Sequence, residues 1–304
     1  MRIEQLEYFT AVTQHGSLRR ASERLHISQP ALSEAISKLE RELGVTLLDR
    51  RRSGARISRE GRELLQHMES VLEAVDQLKV AAGDRSAHSR VVHVGTVNAA
   101  TATLLVPAVQ DFQTTHPGST VEVMNVQHAD IDRGLAEGSL DLGLVNVLGG
   151  DDPNVDLVST DLLHGRPVVV LPRDHPLTAR EAVSLDELRR ERFVMMRAGY
   201  VMHRYVHRLF GADLPQVCHS TDGAEMGKTL VAEGLGVTVL PDYSVVGDPL
   251  ERAGLITQRP IIGDTTVVTL VLRRRKVVHA PLQVRDLHAA LVARARHYQQ
   301  DRAS

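Results

Sequence analysis

The 304-residue sequence is poor in cysteine and in aromatic residues: it has one cysteine, no tryptophan, four phenylalanines and five tyrosines. A single thiol, Cys218, excludes an intrachain disulfide and fits a protein of the reducing cytosol. No apolar run approaches the ~20 residues that a membrane-spanning helix needs, and no signal-peptide pattern opens the chain. We therefore expect a soluble, cytoplasmic protein without a membrane partner.

The motifs of common catalytic and cofactor sites are also missing. The sequence has no Walker phosphate loop, no G-x-G-x-x-G and no G-x-S-x-G nucleophile elbow. His203 and His207 have the i, i+4 spacing of metal ligands on a helix, but no glutamate stands between them and the chain has 15 histidines to scatter. We interpret them as surface residues, and Cys218 as a buried structural thiol rather than a redox sensor, because the chain has no second cysteine. The sequence predicts no catalytic residue, no metal and no cofactor.

The charges are unevenly distributed, although the net charge is only −2. Residues 1–62 hold 12 Lys/Arg against 8 Asp/Glu, which makes this part net +4 and the remainder net −6. A small basic segment attached to an acidic body is typical of a protein with a DNA-binding head.

Two amphipathic helices with a tight turn between them are predicted over residues 18–37. Ser17 and Ser28 each precede a helical pattern and can cap it by accepting a hydrogen bond from a free backbone N–H. Pro30 falls in the first turn of the second helix, where a missing N–H costs nothing. This pattern fits an ordinary helical hairpin, and it fits a helix-turn-helix whose second helix reads bases in the major groove of double-stranded DNA.

The exposed face of the second helix carries short polar side chains suited to base edges. A basic run follows, and a turn with a second short strand predicts a wing whose arginines contact phosphate, although a solvated turn is the simpler alternative. Glu34 either accepts a hydrogen bond from cytosine or repels phosphate. The candidate DNA-binding residues are Arg19, Ser28, Gln29, Pro30, Ser33, Glu34, Ser37, Lys38, Arg50 and Arg52.

A heptad pattern begins near residue 60 and continues for about three heptads. The apolar positions of this pattern are Leu64, Met68, Val71, Val75 and Leu78. Such a stripe packs either on its own domain or on a second copy of the chain. We favour dimerisation, because no neighbouring segment supplies a partner helix and because two heads would read two half-sites.

From residue 90 onward, short apolar strands alternate with helices, which predicts a parallel sheet with right-handed crossovers. The head segment "RASERLHISQPALSEAISKLERELGVTLLDR" and the body segments "LAEGSLDLGLV", "RPVVVLPRDHPL" and "LVAEGLGVTVLPD" resemble LysR-type transcriptional regulators. The resemblance covers essentially the whole chain.

The resemblance implies an α+β multidomain protein: an N-terminal winged helix-turn-helix, a long dimerisation helix, and a two-lobed α/β effector domain like a periplasmic binding protein. The domains would be 1–59, 60–89 and 90–304, with lobe I formed by 90–163 plus 268–304 and lobe II by 164–267. It also implies a homotetramer, with RNA polymerase as a further partner.

In this family a small effector occupies the cleft between the lobes. Ligands of parallel sheets lie beyond the carboxyl ends of the strands, near helix N-termini. Polar residues at such positions are Thr96, Asn98, Thr101, Gln127, Asn146, Arg197, Tyr200 and Thr221. Each of them is also explained as an ordinary cap, and Arg197 either points to an anionic metabolite or pairs with a neighbouring carboxylate. The sequence thus predicts a ligand-responsive regulator, with a small-molecule-binding protein or enzyme on a two-lobed α/β scaffold as the alternative.

Overall fold

A small helical head, a long helix and a two-lobed body follow one another along the chain. The computed structural model describes residues 1–51, 54–81, 91–151, 154–276 and 280–303. The head contains helices α1 (Ile3–His15), α2 (Leu18–Leu25) and α3 (Gln29–Leu43) and the antiparallel hairpin β1 (Leu48–Arg51) and β2 (Gly54–Ile57).

The predicted helix-turn-helix is present, and the serines that precede its two helices cap them as predicted. The hydroxyl of Ser17 accepts a hydrogen bond from the backbone N–H of Arg20, and that of Ser28 accepts one from Ala31. Between the helices, His26 adopts a left-handed conformation with φ of 54°, which turns the chain sharply. α2 and α3 therefore meet at a fixed angle around a shared core.

The head has its own hydrophobic core, which holds α3 against α1 and the start of the next helix. Side chains that are almost fully buried there are Leu6, Phe9, Leu32, Ile36, Leu39, Leu47 and Leu65. The carboxylate of Glu40 accepts hydrogen bonds from the backbone N–H groups of Leu47 and Leu48, which ties the hairpin to α3. Gly61 is needed here, since a Cβ would lie 2.4 Å from the carbonyl oxygen of Leu47.

Helix α4 (Arg59–Ala81) carries the heptad residues, but its apolar stripe has two different fates. Met68 is buried in the head core, and Leu64 is half-buried against that core. Val75 is half-buried, whereas Val71 and Leu78 are 43% and 71% exposed. The first part of the stripe thus packs on its own domain, and the later residues remain open to a partner. The linker predicted over 83–89 lies outside the described residues.

The first lobe of the body contains a five-stranded sheet in the order β4-β3-β5-β12-β6. Its strands are β3 (Val91–Thr96), β4 (Thr120–Asn125), β5 (Leu142–Leu148), β6 (Leu157–Gly165) and β12 (Val268–Arg275). β3, β4 and β5 are parallel, as predicted, and are joined by helices α5 (Val106–Thr115) and α6 (His128–Glu137). β12 runs antiparallel to both β5 and β6, because the chain re-enters this lobe from the other one.

The second lobe departs further from the predicted parallel sheet. Its strands are β7 (Pro167–Pro172), β8 (Arg192–Met196), β9 (Gln216–Thr221), β10 (Thr238–Pro241) and β11 (Ile256–Pro260). β7 pairs antiparallel with both β10 and β11, while β8 and β9 form a separate parallel pair. The helices are α7 (Leu185–Arg189), α8 (Val201–Phe210), α9 (Ala224–Ala232) and α10 (Pro249–Arg252). Short apolar runs do not encode strand direction, which depends on where the connections lead.

Two crossings join the lobes, one between β6 and β7 and one between β11 and β12. Helix α11 (Leu282–Ala303) follows β12 and buries Leu287 and Leu291 in the large core of the body. Across the described ranges, none of the helices has the length and apolar character required to cross a membrane.

Candidate functional site

The polar face of α3 is presented to solvent at the tip of the head. Gln29, Pro30, Glu34 and Lys38 are exposed, and Ser33 is half-buried between them. Ser37 is likewise half-buried, one turn further on. The side chain of Ser28 serves as the cap of α3, so its hydroxyl is already engaged by the helix.

Two ion pairs along helix surfaces limit what the charged candidates can do. A Glu34 oxygen lies 2.9 Å from the ammonium nitrogen of Lys38, and Arg19 pairs with Glu23 at the same distance. The hydrogen bond from Lys38 lowers the pKa of Glu34, so that carboxylate stays ionised while its charge is balanced by the lysine. Glu34 is thus a partner of Lys38 in the free head, rather than an isolated negative charge facing DNA.

The basic wing is only partly described. Arg50 belongs to strand β1 and lies opposite Ala55 on β2, whereas Arg52 lies outside the described residues. The exposed Arg41, which follows Lys38 on α3, was not among the sequence candidates. Its guanidinium donates a hydrogen bond to the backbone carbonyl of Ser37. The helical spacing of α3 alone could have placed Arg41 beside the other exposed polar residues.

A small cavity lies between the lobes of the body. It has a volume of about 20 Å³, which is room for about one water molecule. Residues of both lobes line it: Val97, Ala99, His128, Asn146, Met196, Gly199, Tyr200, Val201, Met202, Ala224, Leu240, Pro241 and Ser244. A ligand larger than water must therefore move the lobes apart or displace these side chains.

Polar side chains without a net charge line this cavity. Asn146 accepts a hydrogen bond from the hydroxyl of Tyr243 through its side-chain oxygen (2.8 Å), which leaves its amide N–H groups as donors. Ser244 is 3% exposed, and its hydroxyl has no hydrogen-bond partner among the described residues. Such a hydroxyl is costly to bury unpaired, and a ligand atom in the cavity would satisfy it.

His128 adds a third neutral polar side chain to the cavity wall. Its Nε2 accepts a hydrogen bond of 2.6 Å from the buried guanidinium of Arg273, so the ring proton is assigned to Nδ1. Burial, and secondarily the charge of Arg273, lowers the pKa of His128. The imidazole is therefore neutral at pH 7.

Three polar contacts, among others in the described part of the chain, join the lobes near the cavity. The side-chain amide of Gln127 donates to the carbonyl of Ala198 in the opposite lobe at 3.1 Å. The guanidinium of Arg204 forms two hydrogen bonds with Asp151, at 2.7 and 3.1 Å. The Asn146–Tyr243 hydrogen bond is the third, and it is the only buried one of these three. Opening the cleft breaks these polar contacts and also separates apolar side chains, since the buried core of the body includes residues of both lobes.

The structure places the predicted cleft residues in different positions. Asn146 and Tyr200 line the cavity, and Gln127 bridges its rim. The side chain of Thr96 is fully buried and accepts a hydrogen bond from the backbone N–H of Asn98. Thr221 is also buried, and its hydroxyl contacts the sulfur of Met196. Of these five predicted residues, only Asn146 and Tyr200 present side chains to the cavity itself.

Arg197 and Thr101 do not line the cavity. Thr101 is the first residue of a π-helical turn, Thr101–Leu105. The guanidinium of Arg197 is 60% exposed and donates to Asp222 at 2.7 Å. The sequence left two interpretations of Arg197, an anion-binding residue or the partner of a neighbouring carboxylate. The structure contains the second, the pair with Asp222. The hydroxyl of Thr101 is buried and has no partner in the described part of the chain. Met196, Met202 and Ser244 were not predicted from the sequence, because no local signal marks apolar or small residues as cavity walls.

Four half-buried histidines make the stability of the protein depend on pH. The pKa values of His15, His128, His203 and His288 all lie below the ordinary 6.5, mainly because burial disfavours the charged imidazolium. Unfolding then takes up protons as the pH falls below about 6.5, so stability is complete above that pH and is lost progressively below it. Urea denaturation at several pH values between about 7.5 and about 5.5 measures the effect.

The contribution of His128 is separated by replacement. We expect His128→Asn to lose less stability on acidification than the unaltered protein, while substitution of the exposed His297 by asparagine changes nothing. A stability that stays constant or rises as the pH falls contradicts this assignment.

Comparison with known proteins agrees with both parts of this architecture. The family model "Bacterial regulatory helix-turn-helix protein, lysR family" matches residues 3–62, and "LysR substrate binding domain" matches residues 85–296. The chain is 30% identical over 247 residues to the uncharacterized HTH-type transcriptional regulator YybE of Bacillus subtilis, covering 80% of this chain and 83% of that one. It is 29% identical to the Hca operon transcriptional activator HcaR of Escherichia coli, covering 91% and 92%.

Solved structures show the same fold. A full-length single-substitution variant of OxyR from Pseudomonas aeruginosa superposes with a TM-score of 0.66 at 24% identity, covering 96% of this chain and 98% of that one. Full-length CbnR in complex with its target DNA superposes with a TM-score of 0.51 at 20% identity, covering 97% and 100%.

Proposed function

Because the chain belongs to the LysR family of transcriptional regulators, we propose that α3 of its head reads an operator while the cleft of its body binds a small effector. The observation that carries this proposal is the pairing, in one chain, of a doubly capped helix-turn-helix with a two-lobed body that encloses a donor-lined cavity. The relatives are named as regulators, so an enzyme on the same scaffold is not favoured. We place the domain boundaries at residues 59 and 89.

On the DNA, side chains of two kinds have different tasks. Gln29 and Ser33 are uncharged and suited to base edges in the major groove, where bidentate amide contacts distinguish adenine. Lys38, Arg50 and Arg52 supply positive charge for phosphate oxygens, which position the head without reading sequence. Arg41 extends this basic surface by one helical turn.

Dimerisation is proposed to use the exposed part of the heptad stripe. Val71, Val75 and Leu78 face away from the head core, and burying them against a second copy removes apolar surface from water. Two heads would then read two half-sites of a pseudo-palindromic operator. We further propose assembly to a tetramer, contact with RNA polymerase at the promoter, and action in the cytoplasm.

The effector is proposed to be a small molecule with acceptor oxygens on an apolar body. The cavity offers donors from Asn146, Ser244 and His128 among methionine and aliphatic walls. An anionic metabolite would be held by these neutral donors rather than by Arg197, which already pairs with Asp222. The effector acts only if it binds one arrangement of the lobes more tightly than the other.

The proposal is tested by DNA binding of the purified protein. Its affinity for the DNA upstream of its own gene is compared with that for a scrambled sequence over a salt series. Tight, selective binding with a steep negative salt slope is expected. Equal, weak binding to both, together with failure to enrich any fragment from a genomic library, would refute the regulator.

The wing arginines are expected to contribute charge and not selectivity. Arg50→Ala and Arg52→Ala should each weaken binding to operator and scrambled DNA alike, and each should reduce the salt slope by about one unit. The matched control is Arg294→Ala on α11, which removes an arginine from the body and should leave the slope unchanged. An unaltered slope in the wing variants places these arginines away from the phosphates.

A further inference from the structure

A buried ion pair joins the long helix of the head to the last strand of lobe I. Arg275, at the end of β12, donates to both carboxylate oxygens of Glu69 on α4, each at 2.9 Å. The side chain of Glu69 is 4% exposed and that of Arg275 is 17% exposed. A carboxylate buried to this extent is costly to leave without a charged partner, so removal of either side chain from the pair is unfavourable while the two segments remain packed.

The end of α6 touches α4 at the same place. Gly138 closes α6 with φ of 79°, and a Cβ there would lie 2.5 Å from a methyl group of Leu65 and 3.4 Å from the guanidinium of Arg275. Leu65 is itself fully buried in the head core. The head therefore packs directly on the C-terminal end of α6, beside the Glu69–Arg275 pair.

Helix α6 reaches the cleft at its other end, where β12 also contacts it. α6 begins with His128, which lines the cavity. Arg273 lies two residues before Arg275 on β12, and its guanidinium donates to His128 and, at 2.7 and 2.8 Å, to both carboxylate oxygens of Asp132. Arg273 is 4% exposed, so a buried guanidinium joins β12 to the first two turns of α6 beside the cleft.

We propose that α6 and β12, which lie between the cleft and the head, move together as one rigid unit. We further propose that the Glu69–Arg275 ion pair couples the position of the head to the position of this unit. The inference rests on the proposed function, since it explains how occupation of the cavity beside His128 changes the placement of the DNA-binding head. Asp132, Arg273, Glu69 and Arg275 are positioning residues, which act through the unit and not on the ligand. The two-state element that such coupling requires is the docking of the head on lobe I.

The docking is measured in the full-length protein by the distance between two spin labels. The labels are attached at Glu7→Cys on the head and Gln113→Cys on α5, both exposed positions, in a Cys218→Ser background. Labelled chains are diluted with unlabelled protein so that only distances within one chain are detected. We expect one narrow distance distribution.

Breaking the pair should release the head. In Glu69→Gln and Arg275→Gln, the ratio of docked to released molecules should fall about 10- to 100-fold, because one buried charge loses its partner. The charge exchange Glu69→Arg with Arg275→Glu should restore the narrow distribution. The control Glu63→Gln removes an exposed carboxylate of the same helix, which pairs with Arg59, and should have no effect.

The coupling to the cleft is tested at the other end of the unit. Asp132→Asn, which loosens Arg273 without removing a cavity wall, should also broaden the head–body distance. If the distance distribution stays narrow in Arg275→Gln, the ion pair does not connect the head to lobe I. If it stays narrow in Asp132→Asn, α6 and β12 do not move as one unit. DNA affinity is measured on the same samples. If the unaltered protein binds DNA selectively but the variants show unchanged distances, only this inference is refuted. If the unaltered protein does not bind DNA selectively, the proposed function is refuted.

Discussion

Asp248→Asn is expected to lower the free energy of unfolding by about 3 kcal/mol, the lower end of the range for a broken buried ion pair. Asp248 binds the ammonium group of Lys228, and the two side chains are 5% and 2% exposed. Lys228 keeps two other partners, the carbonyl of Ser244 and the half-exposed Glu225, which moderate the loss.

Replacement of Asp248 by asparagine removes the negative charge but keeps the second role of this residue. Asp248 also caps α10 by accepting from the backbone N–H of Leu250, a task that asparagine performs equally well. The companion variant Glu225→Gln, at the exposed end of the cluster, should cost no more than about 1 kcal/mol. Chemical denaturation compares them, and equal effects of the two variants would show that burial does not govern this cluster.

The same cluster supports the cavity between the lobes. Lys228 fixes the backbone of Ser244, whose unpaired hydroxyl lines the cavity in the described part of the chain. A double variant, Lys228→Met with Asp248→Asn, removes the buried cation and should recover most of the lost stability. Failure of this recovery would indicate that the backbone contact at Ser244, and not the charge, carries the effect.

The double variant Gln29→Ala/Ser33→Ala is expected to weaken operator binding by about 2–6 kcal/mol, since each lost base contact costs about 1–3 kcal/mol. Neither side chain caps or supports α3, because Ser28 provides the cap and Leu32, Ile36 and Leu39 provide the core. The head should therefore stay folded, and binding to scrambled DNA should change little.

Its matched control lies on the body. Gln110→Ala/Thr114→Ala removes an amide and a hydroxyl with the same spacing from the exposed face of α5. Both variants are titrated with operator and scrambled DNA at one salt concentration. Equal losses on both DNA sequences in the α3 variant would mean that Gln29 and Ser33 position the head without reading bases.

The head was predictable because its signals are local. Ser17, Ser28 and Pro30 mark helix starts within a few residues of the helices they affect, and the apolar spacing of α3 reappears as its buried face. The heptad stripe was predicted in position, but its periodicity did not show that Met68 belongs to the head core while Leu78 stays exposed. That division depends on how far the small head extends along α4.

The cleft was predictable in place but not in composition. Asn146 and Tyr200 follow from the rule that ligands lie beyond strand ends, whereas Ser244 and Met202 have no such local mark. The charge of Arg197 suggested an anion, yet its side chain is held by Asp222, 25 residues away in sequence. Pairing over such separations is set by the packing of strands.

By itself, the sequence determined the order of the domains, the helix-turn-helix with its caps, and the family of the chain, since each depends on short-range patterns or on long stretches of similar residues. Only the tertiary structure decided the direction of β12, the neutral donor set of the cavity, and the contact of Glu69 with Arg275. The physical reason is the same for all three. They arise where segments far apart in the chain are buried against each other, and burial then forces each polar group to take whichever partner the fold brings within reach.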